Sequence, residues 1–397
     1  MNRKIILLMV LILALLFPEG CWSRREINEL AIVLGAGLDR TADNKVQLTL
    51  QLARPSAFSG GGENAGGEAP RQNNSWVVTG TGDTVLDAEN NLALKVSRHI
   101  YWSHSIIIVY GESMARGGVR DVSNFFMRNP QPRETSWIFV TEGEAKNVLE
   151  SHSELEKTSA QSIAFLARNQ PGYSIMLEDF QQNLTSPGTN PAAPRIQLLK
   201  LGQPQGVGME ERLRHEEVGI TGTGIFKDDK LVGWLDMSET RGLLWLHGKV
   251  KEGAIIVPSP GQPDKKISLA ISRDKIKVNP EYDGETVKFN VNIEFDMELL
   301  EQQSNEDLTQ PEKIKEIERL AAEEVLEQCN SALAKAQGDY GTDIFGFGEA
   351  FHRKYKTEWK KVKGHWNDEF QKARVDIAVE PHLRLTGMLH RRASLKR

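Results

Sequence analysis

Over residues 286–297 an apolar side chain stands at every second position: Val287, Phe289, Val291, Ile293, Phe295 and Met297. That is the period of a strand with one buried face. Residues 276–278 read as the preceding strand, with a turn at Asp283-Gly284 between the two. Pro311 then opens a run in which Ile314, Ile317, Ala321, Val325, Cys329, Leu333 and Ala336 step by three or four positions down one face as far as Gly338. Proline in the first turn and this spacing predict a long amphipathic helix. Ala373, Val375, Ile377 and Val379 alternate once more as a last strand. Strand, long helix and returning strand need two packed layers. The expectation is a multi-domain α+β fold, with mixed or antiparallel sheets and packed helices, because the regular alternation of a doubly wound sheet is missing. Cys329 lies on the apolar stripe and reads as a small buried hydrophobe.

The N-terminal half is read the same way. Residues 30–38 and 46–52 are expected strands, as are 106–110 and 137–140, and helices are expected over 119–127, 144–151 and 154–167. Thr84, with Asp87 three residues on, caps a helical stripe of Val85, Ala88, Leu92 and Val96. Residues 55–75, with Gly60, Gly61, Gly62, Gly66 and Gly67, read as a flexible loop. Residues 186–218 carry Pro187, Pro191, Pro194 and Pro204 together with a charged stretch over 210–217. This is the expected boundary: an N-terminal α+β region over 21–205, a linker over 206–218, a C-terminal α+β domain over 219–390 and a basic tail over 391–397. Strands at 219–226 and 231–235 around Lys227-Asp228-Asp229-Lys230 would form a hairpin opening the second domain.

The chain starts with an export segment. Arg3 and Lys4 precede thirteen apolar residues, 5–17, and the sequence turns polar before Cys21. Thirteen residues rise only about 20 Å as a helix, short of a hydrocarbon core of about 30 Å. A cleaved signal over 1–20 is therefore expected. A cysteine at the cleavage point makes Cys21 a candidate lipid attachment site, although Pro18 and Glu19 depart from the usual residues before it. Acyl chains there would anchor the protein to a membrane.

Composition excludes several classes. The chain has 397 residues, 39% of them apolar, and a formal net charge of −5. This is neither a disordered chain nor one with a global footprint for nucleic acid. Two cysteines are too few for a disulfide framework or a thiolate metal site. The charge is uneven: residues 294–327 hold twelve acids and three bases, and residues 351–397 hold thirteen bases and five acids. The two segments could compensate each other, or the tail bases Arg384, Arg391, Arg392, Lys396 and Arg397 could face anionic lipid. The Gly-x-Gly pairs lack the third glycine of a dinucleotide fingerprint, and Gly242 with Gly248-Lys249-Val250 has the wrong spacing for a phosphate loop. His352 and His365 are too far apart for a paired zinc ligand set. No Gly-x-Ser-x-Gly elbow occurs. No catalytic residue, cofactor or metal is expected. Asp343 and Glu349 read as turn and surface residues. Phe345 and Phe347, in the glycine-rich stretch 343–348, either plug the core or form a partner-binding loop.

The string Cys21-Trp22-Ser23-Arg24-Arg25-Glu26-Ile27-Asn28-Glu29-Leu30 resembles the start of the mature spore germination receptor C subunits, the Ger(x)C lipoproteins. Further segments are similar to that family in the same order: His99-Ile100-Tyr101-Trp102-Ser103-His104, residues 117–133, and Gly222-Thr223-Gly224-Ile225-Phe226-Lys227. So are Leu231-Val232-Gly233-Trp234-Leu235, Glu239-Thr240-Arg241-Gly242 and Asp343-Ile344-Phe345-Gly346-Phe347-Gly348, followed by Trp359, Trp366 and Phe370. The resemblance implies a non-enzymatic subunit, lipid-anchored at Cys21 on the outer face of the spore's inner membrane. Its implied partners are an A subunit and a permease-like B subunit, in a complex that senses nutrients and triggers germination. It also implies three α+β domains, where the residues alone give one boundary. Beside the anchor, Trp22 and Arg25 either lie at the headgroup level or begin a folded strand. A substrate-binding lipoprotein of a transporter is the alternative; it would call for two lobes with parallel sheets.

Overall fold

The computed structural model describes residues 3–5, 26–54, 74–151, 153–169, 172–200, 216–250 and 253–385. Most of the signal segment, of the glycine-rich loop and of the expected linker, and the basic tail, lie outside these residues.

A nine-stranded mixed sheet forms the first body. Its strands are β1 (Leu30–Arg40), β2 (Val46–Ala53), β3 (Ser75–Gly82), β4 (His99–Tyr101), β5 (Ile107–Gly111), β6 (Trp137–Thr141), β7 (Ala192–Leu199), β8 (Glu217–Lys227) and β9 (Lys230–Leu235). The spatial order is β3-β2-β1-β5-β6-β7-β8-β9, with β4 added beside the start of β1. β1, β5, β6 and β7 run parallel, and antiparallel hairpins extend the sheet at both sides. Parallel neighbours need crossovers. They are supplied by α1 (Val85–Ala93), α2 (Glu112–Gly117), α3 (Arg120–Arg128), α4 (Ala145–Glu150), α5 (Ser159–Asn169) and α6 (Leu177–Thr185). The expected cap of α1 is present: the Thr84 hydroxyl accepts Asp87 N–H at 3.1 Å.

Two expectations change here. Parallel β-α-β succession exists in the first sheet, hidden in sequence because its central strands are only five residues long. The hairpin expected to open a C-terminal domain instead continues this sheet, β8 pairing with β7 over residues 192–199. Prolines marked residues 186–218 as a break, but Pro194 sits inside β7 opposite Thr223. α7 (Met237–His247) follows, started by a reciprocal capping box of Asp236 and Glu239 and ended by Gly248.

The second sheet has the order β10-β11-β12-β13, made of β10 (Ala254–Ser259), β11 (Gln262–Tyr282), β12 (Val287–Gln302) and β13 (Arg374–Leu385). The long alternating strand is β12, and its six expected apolar positions are all buried. β11 pairs with it antiparallel through the Asp283-Gly284 turn, where the Asp283 carboxylate accepts Glu285 and Thr286 N–H. β13 pairs with it parallel, Phe289 facing Val375. The crossover is α8 (Pro311–Leu333), whose chain runs on through one wider turn over Ala334–Asp339. α8 buries Ile317, Ala321, Val325 and Cys329, as its stripe required, and burial pushes the Cys329 thiol up to about 12. Helices α9 (Phe347–Lys354), α10 (Lys356–Val362) and α11 (Trp366–Lys372) then lead into β13.

α7 crosses α8 at close range. A Cβ on Gly242 would run into the Gln328 carbonyl of α8, and the Trp245 indole donates to Gln328 Oε1 at 3.1 Å. Some of the charge imbalance closes within the fold: Arg384 Nε lies 2.7 Å from Asp296 Oδ1.

Candidate functional site: the Asp343 clasp

Cys21, Trp22 and Arg25 lie outside the described residues. The described chain resumes at Glu26, makes a single 3-10 turn over Ile27–Glu29 with Ile27 73% exposed, and enters β1. Phe345 and Phe347 are placed, and they are inside. Phe347 stacks on Phe289 of β12 at 4.8 Å between ring centroids, and Phe345 packs against Phe347 and Phe370. Both are buried, so neither ring is presented to a partner. An alternating Gly-Phe pattern does not tell a loop from a core plug; the facing aromatic residues of β12 and α11 decide it.

The residue that organises this stretch is Asp343, fully buried rather than at a surface turn. One carboxylate oxygen accepts the backbone N–H of Phe345, Gly346 and Phe347 at 3.0, 3.0 and 3.3 Å. The other accepts Gly348 N–H at 2.7 Å and the Trp366 indole at 2.9 Å. Burial pushes the carboxyl up from its ordinary range, and these N–H donors act against the push. A buried carboxylate costs several kcal/mol unless it is hydrogen-bonded on this scale.

The same residue ties the two sheets together. Its backbone carbonyl accepts Asn190 N–H, just before β7, at 2.6 Å. The Asn190 amide donates to Asn367 on α11 at 2.8 Å and accepts Asp228 N–H of the β8–β9 turn at 2.8 Å. Thr342 reaches the Phe226 carbonyl at 3.1 Å, and Ser186 donates to the half-buried Glu349 at 2.5 Å. A Cβ on Gly348 would meet the Gly188 carbonyl, so glycine lets the two segments touch. From α7, His247 Nε2 lies 2.8 Å from the Ile344 carbonyl, with Tyr173 edge-on to its ring. That geometry requires the Nε2–H tautomer. Burial pushes the imidazole down to about 4, leaving it neutral at physiological pH.

The clasp is a mechanical joint, with the Asp343 carboxylate and carbonyl both spent on other parts of the chain. Open space lies elsewhere. A cleft of about 640 Å³ between α1 and α3 is lined by Arg40, Arg128, Asp83, Asp121, Leu86 and Phe125 among others, with balanced charges. A second, of about 530 Å³, lies at the starts of β5 and β6. Among the described residues no group of three or more His, Cys, Asp or Glu is placed to hold a metal ion, and no helix is long and apolar enough to cross a membrane.

Comparison with known proteins adds what geometry alone leaves open. Residues 23–198 match the family described as spore germination protein N-terminal domain, and residues 221–387 the one described as spore germination B3/GerAC like, C-terminal. The chain is 25% identical over 401 residues to spore germination protein KC of Bacillus subtilis (strain 168), covering 98% of this chain and 97% of that one. It is 26% identical to spore germination protein B3 of the same organism, covering 91% and 92%. The crystal structure of the GerBC protein superimposes with a TM-score of 0.53 at 21% identity, covering 88% of this chain and 96% of that chain. At that identity the likeness is one of fold, and it is an α+β fold in both.

Proposed function

The chain belongs to the spore germination C-subunit family, carrying that family's N-terminal and C-terminal domains in order, and from that premise we propose that it serves as the C subunit of a spore germinant receptor. The observation that carries the reading is coverage: both family domains are present, and the relatives are matched along nearly their whole length rather than over a shared module.

In this reading the signal over 1–20 is removed and Cys21 takes a lipid that holds the protein on the outer face of the spore's inner membrane. Two or more acyl chains would suffice, at about 0.8 kcal/mol per buried CH₂. Trp22 and Arg25 then lie at the headgroup level, where an amphipathic ring and a cation are at home. The partners are the A subunit and the permease-like B subunit of the same receptor. The protein acts by assembly and signalling, without catalysis or a cofactor of its own. The Asp343 clasp suits such a role, because it makes the two sheets move as one body when a partner grips either.

The test is co-purification from spore inner membranes. An affinity tag on this chain should recover A and B subunits in constant ratio, and Cys21→Ala should release the chain into the soluble fraction when the partners are absent. Recovery of neither subunit would refute the assignment; a Cys21→Ala chain that stays on the membrane without partners would refute the anchor alone.

A further inference from the structure

The cleft at the starts of β5 and β6 has a lining unlike the balanced one between α1 and α3. Arg133 and Arg168 both line it, and neither forms an ion pair among the described residues. Glu134, Glu178 and Asp179, the acids on neighbouring segments, are not among its walls. The apolar side of the cleft is Ile106, Trp137, Phe165 and Met176. Phe165 is 39% exposed, and Arg168 is already held over its ring at 5.0 Å from the centroid. Finally, the side-chain oxygen of Gln161, in the same wall, is buried and accepts no hydrogen bond. Such an oxygen forfeits a hydrogen bond that water would have given it.

A volume of about 530 Å³ falls within the size range of small-molecule sites, mostly apolar with a few placed polar groups. Two cations without a counter-charge call for an anion, and guanidinium groups match carboxylate or phosphate oxygens. The ring wall calls for an apolar or aromatic body. The orphaned oxygen calls for an O–H or N–H donor on the same molecule. We propose that this cleft binds a small organic acid with an apolar body and a hydrogen-bond donor beside its acid group. Arg133 and Arg168 take the acid, Trp137 and Phe165 the body, and Gln161 the donor. This goes beyond the assembly role and stands on the cleft alone, so either can fail without the other. A phospholipid headgroup could offer the same acid and donor, and one arm of the test separates the two sources.

The probe is L-3-phenyllactate, titrated calorimetrically into the full-length protein in detergent micelles, with phenyllactamide as the uncharged analogue. Saturable binding is expected, about tenfold or more weaker for the amide and for Arg168→Ala or Arg133→Ala protein. Gln161→Leu should weaken phenyllactate while leaving 3-phenylpropanoate, which lacks the hydroxyl, unchanged. Both arginines are exposed, so an unshifted thermal melt certifies that these two variants are folded. Release of bound phenyllactate by phosphatidylglycerol vesicles would assign the site to a headgroup, and no release to a soluble acid; either supports the shared chemistry. No binding up to about 10 mM, equal binding of acid and amide, or wild-type binding by both arginine variants would overturn the proposal.

Discussion

The indole N–H of Trp366 donates to the carboxylate of Asp343 at 2.9 Å, both side chains buried where α11 meets the loop into α9. That bond and the backbone donors on the same carboxylate hold the loop that carries Phe345 and Phe347 into the core. Asp343→Ala should therefore cost about 3 kcal/mol or more, since it leaves several buried donors without an acceptor. Trp366→Phe, which removes one donor and keeps a ring, should cost about 1–2 kcal/mol. Urea unfolding of the two variants checks the order as well as the sizes.

Close packing of α7 on α8 makes a second prediction. Gly242→Ala forces the helices apart at the Gln328 carbonyl and should destabilise by about 1–3 kcal/mol. Gly338→Ala, where nothing lies within 4 Å of the new Cβ, should stay within about 0.5 kcal/mol of wild type. Thermal melts of both distinguish steric contact from a general intolerance of substitution.

Asp39 at the end of β1 accepts Ala145 and Lys146 N–H at the start of α4, yet burial pushes its carboxyl up to about 6. The folded protein thus keeps a proton that the unfolded chain, near 3.8, has lost. The stabilisation is complete below the unfolded value and is lost as pH rises through about 6, by about 3 kcal/mol in all. Asp39→Asn keeps an acceptor and does not titrate. Its stability relative to wild type should rise across that window and then level off.

His247 gives the opposite slope. Its ring is neutral in the folded protein down to about 4, whereas the unfolded side chain protonates near 6.5. The contribution is present above 6.5 and is lost as pH falls towards about 4. A His247→Gln variant, compared with wild type by denaturant unfolding at a series of pH values, should remove this acid limb. An unchanged acid limb would show that another group carries it.

How much of this was legible in sequence depended on periodicity. β12 and α8 are readable because six alternating residues and six helically spaced ones, Cys329 among the latter, each fix a face. β5 and β6 were also found, but their parallel pairing was not, since five-residue apolar runs carry no direction. β7 was hidden by the prolines around it. Of the candidate site residues, Phe345 and Phe347 stand in a Gly-Phe alternation that fits a core plug as well as a partner surface. The structure puts them in the core because Phe289 and Phe370 face them. Asp343 reads locally as a turn residue; its indole partner Trp366 is distant in sequence, and no local pattern announces its burial.

The most direct test of the central claim uses spores that lack this chain and carry no redundant paralogue. The account predicts that they lose the response to a nutrient while still responding to a non-nutrient germinant, and that the wild-type gene restores the nutrient response. Normal nutrient germination of the deletion spores would contradict it.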